Sequence, residues 1–156
     1  MRTRVRATLV ATYRTTFFAL AASLATLLVS ACATQSSDKS TLYRALGERE
    51  GIERIADNFL AQLADNEQVL PLFLNTDIVR FRTQFIDHLC EVADGPCEYT
   101  GDSMAATHRG MNISKAQFNT VVENLIDAME LSDIPTSAQN GVLQRFAPMY
   151  GDIAGQ

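Results

Sequence analysis

The chain has 156 residues, room for one domain with its own core, and carries thirteen Lys and Arg against eighteen Asp and Glu, a net charge of −5 at pH 7. Arg2, Arg4, Arg6 and Arg14 all precede residue 32 and no acidic residue does, so the remainder holds nine basic and eighteen acidic residues, net −9. A surface of that sign excludes nucleic acid as a partner, because phosphate backbones are bound by clustered Lys and Arg.

The basic leader runs into an apolar stretch from Phe17 to Val29 and then into Ser30-Ala31-Cys32. Basic, apolar, then small residues at a cut site is the order of a secretory signal. The apolar stretch falls short of the ~20 residues that a spanning helix needs. Residues 1–31 are therefore read as a cleaved signal peptide. Cys32 looks like the cysteine of a bacterial lipobox, which takes a lipid and becomes the new N-terminus, replacing spanning by anchoring. An uncleaved anchor, or an ordinary signal that leaves a soluble periplasmic protein, is the alternative. Ala33 rather than Asp at the next position resembles outer-membrane sorting. Residues 32–40 make a polar tether, and residues 41–156 the domain.

From Thr41 onward the pattern is helical, with no alternating run bounded by hairpin turns. A short helix is expected over residues 41–46. A second, over 48–63, places Ile52, Ile55, Phe59 and Leu63 on one stripe at the 3.6-residue period. Residues 69–74 read as a short apolar turn with Phe73 pointing inward. Asp77 caps a third helix that runs to residue 93, with Ile78, Phe81, Phe85, His88, Leu89 and Val92 on its face; Gly95-Pro96 stops it. Ser114 and Gln117 form a capping box for a helix that buries Phe118, Val121, Val122, Leu125, Ile126 and Met129. Pro135 opens a last helix carrying Val142, Phe146, Met149 and Ile153. The sequence holds no phosphate-binding glycine loop and no His-Glu-x-x-His zinc pattern. Four substantial helices could make a simple bundle, but bundle loops are short. The stretch 94–114 is too long for that role, which suggests that space between helices is kept for something other than side chains.

That stretch carries the candidate chemistry. Cys90 and Cys97 lie on either side of the Gly95-Pro96 turn. In an exported protein the compartment is oxidising, so a disulfide between them would fix the loop; two buried free thiols are the alternative. Without further Cys or His in the pattern they make a poor zinc site. His108, one of two histidines in the chain, follows Gly95-Pro96-Cys97-Glu98-Tyr99-Thr100-Gly101 and one short helical piece from Asp102. A single imidazole on a short helix held by an ordered loop is how a protein presents one axial nitrogen to a flat metal cofactor. A hydrogen-bonded surface or core histidine is the competing reading.

At these residues the chain resembles the group 1 truncated haemoglobins, short all-α globins with a two-over-two helical sandwich. The resemblance covers residues 41–153 without a gap in its central part. It comprises Leu42-Tyr43-x-x-Leu46-Gly47, with Glu48 where the family usually has a second glycine, then Phe59 and Leu72-Phe73. Gly95-Pro96-x-x-Tyr99-Thr100-Gly101 then leads to Met104 and His108, and Ala147-Pro148 lies in the last helix. The resemblance implies a b-type haem held without a covalent link, since no Cys-x-x-Cys-His attachment run is present, with its iron bound by His108. It further implies Met104 near the ring on the proximal side, Phe73 packed against the porphyrin and Tyr99 at the pocket edge. Arg80 matches a position that can reach a haem propionate, or stands as a solvated surface arginine.

On the distal side the chain departs from the family. The Tyr that normally follows Phe59 and hydrogen-bonds dioxygen is Leu60. A polar residue, commonly Gln, is replaced by Phe85, and Phe81 occupies the position facing the ligand. Leu and Phe donate no hydrogen bond. Losing one bond to a charged group is worth ~1.5–3 kcal/mol, roughly ten- to a hundred-fold in affinity. Faster oxygen release, easier autoxidation and a shift toward carbon monoxide and nitric oxide are expected. Gln84 is read as a swinging donor, a propionate partner or a surface residue; His88 as pocket wall or a sixth iron ligand.

The function implied is reversible binding of oxygen, nitric oxide and carbon monoxide, for oxygen transport or gas handling in the cell envelope, by a monomer or weak dimer. A nitric oxide dioxygenase or a peroxidase-like enzyme is the alternative. Either needs an external reductase, and no distal acid–base histidine is evident for the second. A structural lipoprotein that has lost haem is the reading from a different class.

Overall fold

The structure, a computed structural model, describes residues 41–155; the leader, Cys32 and the tether lie outside them. Ile52, Ile55, Phe59 and Leu63 recur every three or four residues, and the helix they form, α2 over Glu48–Asp65, buries all four. Before it lies α1, Thr41–Ala45. After it come a 3-10 turn at Leu70–Leu72, α3 at Ile78–Val92 and the four-residue α4 at Met104–Thr107. Then follow α5 at Lys115–Leu131, α6 at Thr136–Phe146, a second 3-10 turn at Ala147–Met149, and α7 at Tyr150–Ile153. No strand occurs among the described residues, and no helix there is long and apolar enough to cross a membrane.

The helix α2 packs on α3 within one layer and on α5 in the other, while α3 meets α6 and α1 bridges α2 and α6. This is the two-over-two sandwich. Its dry centre joins Ile52, Ile55 and Ala56 of α2 to Ile86 and Leu89 of α3, Ala128 and Met129 of α5, and Val142 of α6. At the rim the helices are tied by charge, two of the contacts within one layer and one between the layers. Arg82 of α3 makes a two-point contact with Asp57 of α2, at 2.6 and 2.9 Å. Arg49 of α2 reaches Asp87 of α3 at 2.8 Å. Arg145 of α6 binds both Asp94 and the Val92 carbonyl, closing the end of α3.

Helix boundaries follow local chemistry. Asp77 Oδ1 accepts from the Arg80 amide at 3.0 Å. At α5 the capping box is complete: Gln117 N–H donates to Ser114 Oγ and Ser114 N–H to Gln117 Oε1. Between α1 and α2 the chain turns through two successive left-handed residues, Gly47 at φ 82° and Glu48 at φ 58°. A residue with a Cβ pays roughly 1–2 kcal/mol for that conformation, a cost that Glu48 bears and a glycine there would not. Leu46 therefore leaves α1 and is buried in the turn. The backbone comes so close there that a Cβ on Gly51 would sit 1.9 Å from the Leu46 carbonyl oxygen.

Two expectations need correction. The last helix is not continuous: it breaks into α6, a 3-10 turn and α7. Pro148 has no N–H for the bond back to residue 144, and its ring crowds that carbonyl. Ile78, expected on the buried face of α3, is 44% exposed: it is the first residue of α3, and Leu74 and Val79 near it in sequence are exposed as well.

Candidate functional site

Between α3, α4, α5 and the α6–α7 segment the molecule keeps a cavity of about 600 Å³. That is within the range of pockets that bind cofactors and drug-sized molecules. One wall is aromatic. Phe59 of α2 stacks on Phe85 at 4.9 Å, Phe85 on Phe81 at 6.1 Å, and Phe73 meets Phe81 edge-on at 5.5 Å. Leu60, expected on this wall, does not line the cavity; Phe59, one residue earlier, does. Successive helix residues point ~100° apart, so the ring of Phe59 takes the inward direction and Leu60 is left half-buried beside it.

His108 stands opposite, at the C-terminal end of α4, and is partly buried. Ser103 starts α4 by accepting from the Ala106 amide at 3.2 Å. The His108 amide bonds back to the Met104 carbonyl at 3.1 Å, and Nδ1 lies 2.8 Å from that same oxygen. A carbonyl can only accept, so Nδ1 carries the proton and Nε2 is the bare nitrogen. Among the described residues no group of three His, Cys, Asp or Glu could hold a metal ion. A metal at His108 would find one ligand there and would need a cofactor that brings the rest.

The loop before α4 is tightly built. Cys90 and Cys97 are disulfide-bonded, with their Cα atoms 5.8 Å apart. Tyr99 donates its hydroxyl to the Asp102 carbonyl at 2.9 Å and its amide to Glu91 at 3.2 Å. Burial holds the Tyr99 phenol above its ordinary pKa, with the Asp102 carboxylate adding to the shift. Gly101 makes the loop's close approach to α3: a Cβ there would meet Gln84 Oε1 at 2.3 Å and Tyr99 Oη at 2.4 Å.

Arg80, Gln84 and His88 also line the cavity, spaced four residues apart on α3. Arg80 is exposed at the mouth and Gln84 is half-buried. His88 lies between Tyr99, 4.7 Å away, and Phe146, 5.5 Å away. Both of its ring nitrogens, and Gln84 Oε1, are buried without a hydrogen bond to the protein. Burial lowers the His88 pKa; Glu91 opposes this. The structure therefore puts a neutral imidazole on the wall, one of the two readings the sequence left open for His88. Met104 and Phe73 line the cavity as well, as do Phe118, Val121, Val122 and Leu125 of α5, Phe146 of α6, Met149, and Ile153 of α7. The last seven were read as core, since a helical stripe looks the same whether it faces side chains or a cavity.

A two-layer helical sandwich whose two histidines, His88 and His108, both face a largely apolar cavity defines a globin-type cofactor pocket. The comparisons agree. The family model for bacterial-like globin matches residues 41–154. The group 1 truncated haemoglobin of Tetrahymena pyriformis is 32% identical over 116 residues, covering 74% of this chain and 96% of that protein. The group 1 truncated haemoglobin GlbN of Nostoc commune is 29% identical over 114 residues, covering 73% and 97%. The crystal structure of the Tetrahymena pyriformis protein in its Fe(III) form superposes with a TM-score of 0.71 at 25% identity, covering 74% of this chain and 98% of that one. The chain belongs to the group 1 truncated haemoglobins.

Proposed function

We propose that this protein holds a b-type haem without a covalent link and uses it to bind diatomic gases. The observation that carries the reading is His108, whose Nδ1 is committed to the Met104 carbonyl so that Nε2 is free at the edge of the cavity. The cavity suits the group: an apolar wall for the ring, unsatisfied polar atoms at one side for its carboxylates, and family relatives that are haemoglobins. Bound haem would supply an iron able to take up a gas. The chain's own residues do the rest. His108 would hold that iron through Nε2, the Met104 carbonyl fixes its tautomer, and the phenylalanine cluster would keep water from the facing wall.

None of Phe59, Phe73, Phe81 and Phe85 can donate a hydrogen bond to a gas, so oxygen release is fast and the balance shifts toward carbon monoxide and nitric oxide. Nitric oxide dioxygenation or peroxidase-like turnover would need an external reductase and takes second place. The leader order and the Cys90–Cys97 bond, of a kind that persists in oxidising compartments, support export, with anchoring through Cys32 at the outer membrane.

The purified protein is expected to carry an intense Soret band that His108→Ala removes; a band unchanged by that substitution overturns the reading, and no band in the parent leaves a structural lipoprotein. Phe85→Gln, which installs a donor, should slow oxygen release roughly ten- to a hundred-fold and leave carbon monoxide release nearly unchanged. Fractionation with Cys32→Ser as control tests the anchor.

A further inference from the structure

The cavity side of α3 is divided lengthwise. Phe81 and Phe85 carry the aromatic wall, while Arg80, Gln84 and His88 run beside them as a polar stripe. The stripe holds more polar atoms than the protein satisfies: Gln84 Oε1 and both nitrogens of His88 are buried and unpartnered. Buried polar atoms of that kind are rare in folded proteins unless something outside the chain completes them. The Gln84 amide can present Nε2 in place of Oε1 by a half-turn, so it too can donate.

His88 is the informative member. Its ring is packed against Tyr99 on the loop and Phe146 on α6. It cannot turn to solvent without losing both contacts. The groups facing it are the Tyr99 phenol, which is already committed to Asp102, the Phe146 ring, and the Glu91 carboxylate on its own helix. None of them bonds to it. Being neutral, the imidazole keeps one N–H to donate. A planar cofactor with an apolar body and two carboxylates on one edge matches the division of this wall, body against the phenylalanines and carboxylates along the stripe. Arg80 at the exposed mouth suits one carboxylate. The other is left to the stripe itself, where the unpartnered atoms of Gln84 and His88 lie.

We propose that His88 holds one haem carboxylate through a ring N–H and is a cofactor-positioning residue, with no part in gas ligation. This rests on the haem reading above. The test is a titration of the apoprotein with haem and with haem dimethyl ester, whose carboxylates are blocked as neutral esters, followed at the Soret band. The parent should prefer haem over the ester. His88→Leu should lose about ten- to a hundred-fold of that preference, through weaker haem binding at unchanged ester affinity. His88→Gln retains an N–H donor and should retain part of the preference; it also serves if the Leu variant does not fold. An equal loss for both porphyrins marks His88 as packing only and overturns the proposal. So does an unchanged preference accompanied by altered gas release, which would put His88 on the gas side. Haem binding in a parent that does not distinguish the ester removes the His88 role alone; binding of neither porphyrin removes the haem reading and this role together.

Discussion

Reducing the Cys90–Cys97 bond changes one covalent link and no other atom count in the protein apart from two hydrogens. The link closes a loop with a separation of 7 residues between the end of α3 and the segment that carries Tyr99. For a loop of that size the chain-entropy relation gives an unfolded-state entropy loss of about 8 cal/mol/K, or about 2.4 kcal/mol at 25 °C. The ~115 ordered residues unfold with about 0.24 kcal/mol/K, so the reduced protein should melt about 10 °C below the oxidised one. The domain should still fold at 25 °C, since such a loss is a fraction of the ~5–15 kcal/mol typical of a domain. Circular dichroism melts of oxidised, reduced and Cys90→Ala/Cys97→Ala protein measure the difference, with thiol labelling to confirm each state. The double variant should fall somewhat below the reduced protein, because Cys90 is fully buried and its sulfur leaves a gap. Melting points within ~2 °C of each other, well inside the shift expected for a loop of this size, would show that the loop is held by its packing and hydrogen bonds alone.

Two further outcomes follow from the packing and the charges. Gly51→Ala gains up to ~1 kcal/mol of helix propensity, but its Cβ would lie 1.9 Å from a backbone oxygen that cannot swing away, and such overpacking costs ~1–3 kcal/mol or more; urea unfolding should show net loss, and a variant at least as stable as the parent would refute the close approach. The Arg82 contact, foremost through its hydrogen bonds, holds the Asp57 carboxyl below its ordinary pKa of 3.8. A depressed carboxylate stabilises the fold above that ordinary value and loses its contribution as pH falls through the lowered one. Both side chains are more than a third exposed, at 36% and 58%, so screening keeps the worth of the pair under ~1 kcal/mol. Arg82→Met should show that penalty at pH 7 and a smaller one on acidification; a penalty that grows with acid would contradict the assignment.

The parts of this molecule that were legible in its sequence are those governed by neighbours along the chain. Asp77, the Ser114–Gln117 box and the α2 stripe each work within one or two helical turns. The short helical piece that ends at His108 was legible for the same reason, since Ser103 caps it within one turn; the metal role of His108 came from the family resemblance. What escaped depends on distant partners. Whether Phe59 or Leu60 faces inward is settled by the rings of Phe85 and Phe81 on another helix. How the His88 ring is held depends on Phe146, 58 positions away. The break at Pro148 could have been read from its missing N–H alone; the family pattern, which places Ala147-Pro148 inside a helix, drew attention from it.

The four residues of α4 close too few backbone bonds to hold a helix by themselves, since nucleation alone costs more than one turn returns. Its shape is imposed from both flanks. The bridged loop precedes it, α7 packs on it, and the Gly155 amide, bonded to the Ile113 carbonyl at 3.0 Å, pins the segment that follows. The residue proposed to hold the iron therefore sits at the end of one of the two shortest α-helices among the described residues. Opening of this segment is local and needs no global unfolding. In the apoprotein the amides of residues 104–108 should exchange with solvent ahead of those in α2 and α5, and cofactor uptake would then be the event that quenches that exchange, making entry of the cofactor and completion of the fold a single step.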